Sequence, residues 1–302
     1  MNEFGSLELR WIQGFANRNT EFVENKTVCY TCGNHICFLN LETRTQNAFP
    51  SPGRGIGALT ANGNSGIFAF SEEKLSPSIY VYTFPELQLK NELKGGAQLD
   101  YTSLALSHGG PYLGSCSSLP DHIITVWNWE NAEPLCSQPQ AGQDVVSLAF
   151  NPMNWLQLCA LGTASLTVWN IAKSDSLHVL QPSESQAPSS QNVTLHVFAQ
   201  AKLHQRTRAR LTPSAICWTA TSKLYVGCAE GFLLLVDPES HSVSVLFNPT
   251  SKQTHTWIVV HLQIKGTQIN IAQTWQLERP VTTVMYSPDY KALLFSSNTV
   301  ST

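Results

Sequence analysis

An all-β fold of repeated four-stranded sheets is what this 302-residue sequence predicts, on three observations. Charged residues make up only 13% of the chain, about half the ~25% usual in globular domains. A surface built from Ser, Thr, Asn and Gln suits strands and turns better than long solvated helices. Short β-branched and aromatic runs also alternate with turn residues along nearly the whole chain, the signature of a meander. Finally, Tyr101–Glu130 and Val146–Ala172 repeat one another: an apolar strand, a strand of small residues, then TVWN. Their Trp-Asn pairs start at Trp127 and Trp169, 42 residues apart. That is the ~40–45-residue period of a propeller blade, so the prediction is a WD40-like β-propeller.

The blades follow in order. Blade one, 14–50, reads TVCYT, the turn Gly33-Asn34, HICFLN and RTQNAF. Blade two, 54–95, reads IGALT, GIFAFS, SIYVYTF and LQLKNEL. The two TVWN repeats supply blade three, 99–140, and blade four, 143–181. Blade five, 214–249, reads AICWTA, KLYVGCAEG, FLLLVD and SVSVLF. Two partial blades, 254–276 and 277–302, complete the chain, giving about five recognisable blades and two partial ones with incomplete closure. SLELRWI (Ser6–Ile12) alternates and is the candidate closing strand, but its partner blade stops at NTVST before a third strand. An open sheet edge invites association, so a fragment or truncated form is expected. Residues 182–213, rich in Ser, Pro and Gln and carrying an Arg cluster, read as a flexible inserted loop.

In WD repeats an acidic residue six positions before the Trp of the third strand supports a hydrogen-bond network. Asp121 precedes Trp127 by six and Glu230 precedes Val236 by six, but Thr163 stands before Trp169 and Ser76 before Tyr82. No Gly-His dipeptide occurs at the expected places. The blades are therefore expected to have lost most of their polar networks and to hold by apolar packing between sheets.

CYTCGNHIC (Cys29–Cys37) could be half of a zinc site, but no second C-x2-C exists among Cys116, Cys136, Cys159, Cys217 and Cys228. A structural site takes four ligands, so a reduced hairpin is the expectation and no metal is assigned. PGRGIG (Pro52–Gly57) lacks the Lys-Ser/Thr of a phosphate loop and reads as a turn. KLHQRTRAR concentrates Lys202, Arg206, Arg208 and Arg210, a candidate contact for an acidic partner weighed against a plain solvated loop. Trp129 alternates with Trp127 and is a candidate partner anchor, weighed against burial on the neighbouring blade.

No catalytic motif is found; His108, Asp121 and Ser117 group into a triad only on paper. No cofactor and no small-molecule substrate is assigned. A net charge of −3 gives no global attraction to nucleic acid or anionic membrane, and neither is an expected partner. MNEFGSLELRW lacks the basic start and apolar stretch of a secretory signal, and no run nears the ~18 apolar residues of a span. Eight reduced cysteines in the cytoplasm are expected.

GSLELRWIQGF, EFVENKTVCYTCGN, IYVYTFPEL, SSLPDHIITVWNWE, AFNPMNWLQLC and CWTATSKLYVGCAEGFLLLV together resemble the N-terminal part of the cilia- and flagella-associated protein 43 family. The resemblance is clear over Gly5–Cys228 and again over Leu277–Ser296. It implies a WD-repeat protein of the axoneme, placed at the cytoskeleton of cilia and flagella. Family members are longer, with coiled coil after the WD repeats. They belong to a complex that tethers an inner-arm dynein to doublet microtubules and supports flagellar assembly and motility, including that of sperm. The implied partners are tether components, with tubulin as a further candidate. The coiled coil is missing here, and the sixth blade looks replaced around Thr254–Thr267. The expected function is a non-enzymatic scaffold. The alternatives are a general cytosolic WD adaptor, as in ubiquitin ligases, and a propeller enzyme, which would need acidic or His residues converging on the central channel.

Overall fold

The computed structural model describes residues 20–163, 165–174, 177–183, 211–240, 242–247, 257–265, 268–277, 281–289, 291 and 293–297. Its described residues form twenty-four strands and no helix, and the predicted all-β propeller class is what the structure shows. The first sheet holds β1 (Thr20–Glu24), β2 (Thr27–Cys32), β3 (His35–Asn40) and β4 (Gln46–Pro50). The second holds β5 (Ile56–Asn62), β6 (Ile67–Glu72), β7 (Ile79–Thr83) and β8 (Leu89–Leu93). The third runs through β9 (Tyr101–Leu106), β10 (Tyr112–Ser117), β11 (Ile124–Asn128) and β12 (Glu133–Gln138). The fourth comprises β13 (Val145–Asn151), β14 (Asn154–Gly162), β15 (Leu166–Ser174) and β16 (Leu177–Pro182). The fifth is β17 (Pro213–Trp218), β18 (Leu224–Cys228), β19 (Leu233–Asp237) and β20 (Ser242–Phe247). Two hairpins follow, β21 (Trp257–Lys265) with β22 (Gln268–Leu277), and β23 (Val281–Tyr286) with β24 (Leu293–Ser297). Among the described strands none hydrogen-bonds the first sheet to the last. SLELRWI and the Arg cluster lie outside the described residues, while Pro182 and Pro213, the outermost residues of the predicted insert, belong to β16 and β17.

The innermost strands of successive sheets neighbour one another, β1 with β5, β5 with β9, β9 with β13 and β13 with β17. Side chains stitch them. Thr60 Oγ1 accepts from Leu106 N at 3.3 Å, and Asn62 Nδ2 donates to the Ser107 carbonyl at 2.8 Å. Ser103 Oγ accepts from Leu148 N at 3.0 Å, and Trp218 Nε1 donates to the Ala149 carbonyl at 3.0 Å. Each bond uses a backbone group that a neighbouring strand leaves unpaired on the inner edge, and satisfying such a group avoids a cost of about 1–3 kcal/mol.

Between these strands the packing differs from blade to blade. Blades one and two have no Trp in the third strand and meet through rings: Phe38 lies edge-on to Phe68 at 5.2 Å and Phe49 meets Tyr82 at 5.0 Å, while within blade two Phe68 stacks on Tyr82 at 5.6 Å. Phe68 and Phe70 are fully buried there. Blades three and four share a mixed aliphatic layer of Ile124, Val126, Leu148, Phe150, Leu158 and Ile171.

The Cys29–Cys37 segment is the β2–β3 hairpin. Gly33 takes φ +59°, the left-handed first corner of a type II′ turn. The pairings Cys29↔Phe38 and Tyr30↔Cys37 put Cys29 and Cys37 on opposite faces. Cys29 joins Val23, Ile36 and Phe38 in the core, and burial drives its thiol pKa far up. PGRGIG joins β4 to β5; a Cβ at Gly53 or Gly55 would sit 2.8 Å from Glu72 Oε1 or 2.6 Å from Glu73 Oε2. The loop therefore packs its glycines against carboxylates, an environment hostile to phosphate.

Candidate functional site

Where the inner strands end, four parts of the chain converge on one small pocket. Glu21 and Phe22 come from β1, Ala61–Asn64 from the end of β5 and its turn, Leu106 and His108 from the end of β9, and Met285, Ser287 and Pro288 from the end of β23. The volume is about 250 Å³, below the ~300–1,000 Å³ of small-molecule sites. Gly63 makes the convergence possible: a Cβ there would stand 2.4 Å from Pro288 Cγ and 3.0 Å from the Phe22 carbonyl. Asn62 is locked, donating to Ser107 and accepting from Asn64 N at 3.0 Å. Asn64 itself is exposed.

Glu21 has no hydrogen bond or ion pair to its carboxylate among the described residues, and desolvation pushes its pKa up to about 7. The residue keeps some contact with solvent through the pocket mouth, and that screening tempers the rise. His108 is exposed on the rim, yet its surroundings desolvate it enough to lower its pKa. A carboxylate and a His at the inner rim were not expected from the sequence. Glu21 sits one residue into a strand whose start is legible only as alternation, and the pocket it lines is completed by chain segments up to 267 residues away (Glu21 to Pro288).

His108 and Ser117 lie at opposite ends of β10, in the turn before it and at its last residue. Ser117 is buried, with Oγ accepting from Ile123 N at 2.8 Å. The paper triad therefore does not assemble. Asp121 also departs from expectation. Its carboxylate bonds nothing among the described residues, and only its carbonyl takes part, accepting from Gln140 N at 3.3 Å and Gln140 Nε2 at 3.2 Å. Glu230 does act through its carboxylate, accepting Thr212 N at 2.9 and 3.1 Å just before β17. In blade four the acid has changed sides: Asp144, before β13, accepts from Ser165 Oγ at 2.7 Å in the turn before β15.

On the outer surface Trp129 is half-buried and packs against the core shared by blades two and three. Its carbonyl accepts from Asn91 Nδ2 of blade two at 2.9 Å. Lys202, Arg206, Arg208 and Arg210 lie outside the described residues. A surface aromatic pair that sequence reasoning missed joins blades three and four, Tyr112 stacked on Trp155 at 3.6 Å, beside exposed Met153 and Leu156. The motif NPMNW marked the segment, but only the fold brings Tyr112 to it. Among the described residues no three His, Cys, Asp or Glu side chains gather as a metal site.

No protein-family model matches the chain. It is 34% identical to cilia- and flagella-associated protein 43 of Xenopus laevis across 97% of its own length and 22% of the relative. Against the protein of the same name from Mus musculus it is 33% identical over 97% of the chain and 21% of the relative. The chain thus spans about a fifth of the length of the curated relatives it matches, and the resemblance read from its sequence holds along nearly all of it. In fold it is similar to a chain of a solved mitotic checkpoint complex, with a TM-score of 0.61 at 11% identity over 98% of this chain and 94% of that one. At that identity the likeness speaks for the propeller fold alone.

Proposed function

Taking the likeness to cilia- and flagella-associated protein 43 as the premise, we propose that this chain is a non-enzymatic scaffold of the ciliary and flagellar axoneme. It contributes a propeller surface to the tether that links inner-arm dynein to doublet microtubules, and so supports flagellar assembly and motility. The observation that carries this reading is the identity to the frog and mouse proteins across 97% of the chain. A propeller suits the role because its rigid blades present loops on two rims and an outer belt to several proteins at once. Its binding then resides in a few anchors on the surface. Tether components are the proposed direct partners, with acidic tubulin tails for Lys202, Arg206, Arg208 and Arg210. The half of Trp129 left open by blade two is a second proposed contact.

Tagging the chain in multiciliated cells tests this reading. Signal along the axoneme, with inner-arm dynein tether proteins recovered by proximity labelling, is the expected result. Diffuse cytoplasmic signal with no axonemal enrichment would instead favour a general WD adaptor of the kind found in ubiquitin ligases.

A further inference from the structure

The pocket at the inner rim combines two features that suit one kind of guest. Its walls are apolar along Phe22, Ala61, Leu106, Met285 and Pro288, and its polar groups are the Glu21 carboxylate, the Asn64 amide and His108, together with Asn62 and Ser287, whose side chains already bond Ser107, Asn64 and Asp289. Glu21 has no cationic partner among the described residues, although five of the chain's lysines make ion pairs elsewhere. A desolvated carboxylate without a counter-charge is costly, and among the described residues no cation offsets it; only uptake of a proton does. The side chains whose shape matches this lining are lysine and arginine, with an apolar stem and a cationic head. The pocket is also too small for a typical drug-sized ligand but is open at the rim, where a partner's loop can reach it.

We infer that the inner-rim pocket between β1, the β5–β6 turn, β9 and β23 is a receptor for a single basic side chain of a partner protein, held by Glu21. The stem lies along Leu106, Met285 and Pro288 while the head meets the carboxylate and the Asn64 amide. Charge-assisted hydrogen bonds of this type are among the stronger ones in proteins. His108 opposes the guest little, because desolvation lowers its pKa and so favours the uncharged imidazole. The other titratable groups nearby are accounted for. Cys29, opposite Glu21 on β2, stays a thiol; Glu24 takes a 3.4 Å bond from Thr27 Oγ1; Asp289 is held by Ser287 Oγ at 2.7 Å and Lys291 at 3.5 Å. Binding therefore strengthens as pH rises through about 7, where Glu21 gives up its proton. The site stands or falls independently of the ciliary role.

The chain contains its own reporters. It has three methionines; Met285 lines the pocket and Met153 is 66% exposed far along the chain on blade four. With isotope-labelled methionine methyl groups, N-acetyl-arginine amide and N-acetyl-lysine amide should each shift the Met285 signal saturably and leave Met153 in place. The neutral N-acetyl-norleucine amide should shift neither. Glu21→Gln, a neutral near-isostere, should weaken binding about tenfold at pH 8 and abolish its dependence on pH between 6 and 8, with Asn64→Ala as a second, exposed variant expected to weaken it less. No saturable Met285 shift with either cation, an equal shift with norleucine amide, or undiminished binding in a folded Glu21→Gln protein would each overturn the assignment. Should Glu21→Gln fail to fold, full-strength binding in Asn64→Ala together with pH-independent binding in the wild type would do the same.

Discussion

Blades three and four carry the same TVWN strand, yet their tryptophans have different lives. Trp127 donates from Nε1 to Ser115 Oγ at 2.9 Å, and both residues are buried. Trp169 is 8% exposed, and its Nε1 is buried with no partner among the described residues. The registers explain why. Trp127 pairs with Leu113, so Ser115 lies diagonally across the strands; Trp169 pairs with Leu158, so the same diagonal falls on Ala160. One hydroxyl separates a satisfied indole from an orphaned one. The repeat therefore keeps ring packing while its polar network changes, and the bracing acid moves as well: Glu230 before β19 in blade five, Asp144 before β13 in blade four.

Removing either ring altogether should have the largest effect and hide the contrast. Trp127→Ala and Trp169→Ala should each cost about 3–5 kcal/mol in urea unfolding, since both rings fill buried layers between blades. Ser115→Ala should separate them more cleanly, costing roughly 1–3 kcal/mol because it orphans the Trp127 indole as blade four already orphans Trp169. The reverse change, Ala160→Ser, should stabilise by about 0.5–1.5 kcal/mol if its hydroxyl reaches Trp169 Nε1; a lower denaturation midpoint would mean the added oxygen finds no bond there. The smallest effect is one of pH. Burial raises the Glu21 pKa from an ordinary 4.5 to about 7, so the folded state holds the proton more tightly. Its stabilising contribution is full below pH 4.5 and fades as pH rises through about 7. The thermal midpoint should fall modestly over that window in the wild type and not in Glu21→Gln, while the Ser115→Ala cost stays constant across it.

The blade period, the strand runs and the Cys29–Cys37 hairpin were legible because each depends on neighbours in sequence: alternation, Gly33 at a tight corner, and TVWN recurring at 42 residues. The inner-strand stitches were not. Thr60, Ser103 and Trp218 read as ordinary strand residues until the fold sets each against a backbone group on the next sheet, 46, 45 and 69 positions away. The acidic spacing rule identified Glu230 correctly and misjudged Asp121, because the spacing fixes where a carboxylate stands in the turn and not whether a donor on the first strand faces it. Glu21 escaped notice for a related reason: the pocket it lines is completed by residues at the ends of β9 and β23, which the sequence does not show meeting β1.

The most direct test of the contrast is the unfolding free energy of Trp127→Phe and Trp169→Phe, each in the wild-type and the Ser115→Ala backgrounds. Phenylalanine removes the indole donor from both sites at similar loss of volume. Trp127→Phe should cost about 1–3 kcal/mol more than Trp169→Phe in the wild type, and the gap should close when Ser115 is already alanine. Equal costs in the wild type, or a gap that survives in Ser115→Ala, would contradict the claim that a single hydroxyl distinguishes the two blades.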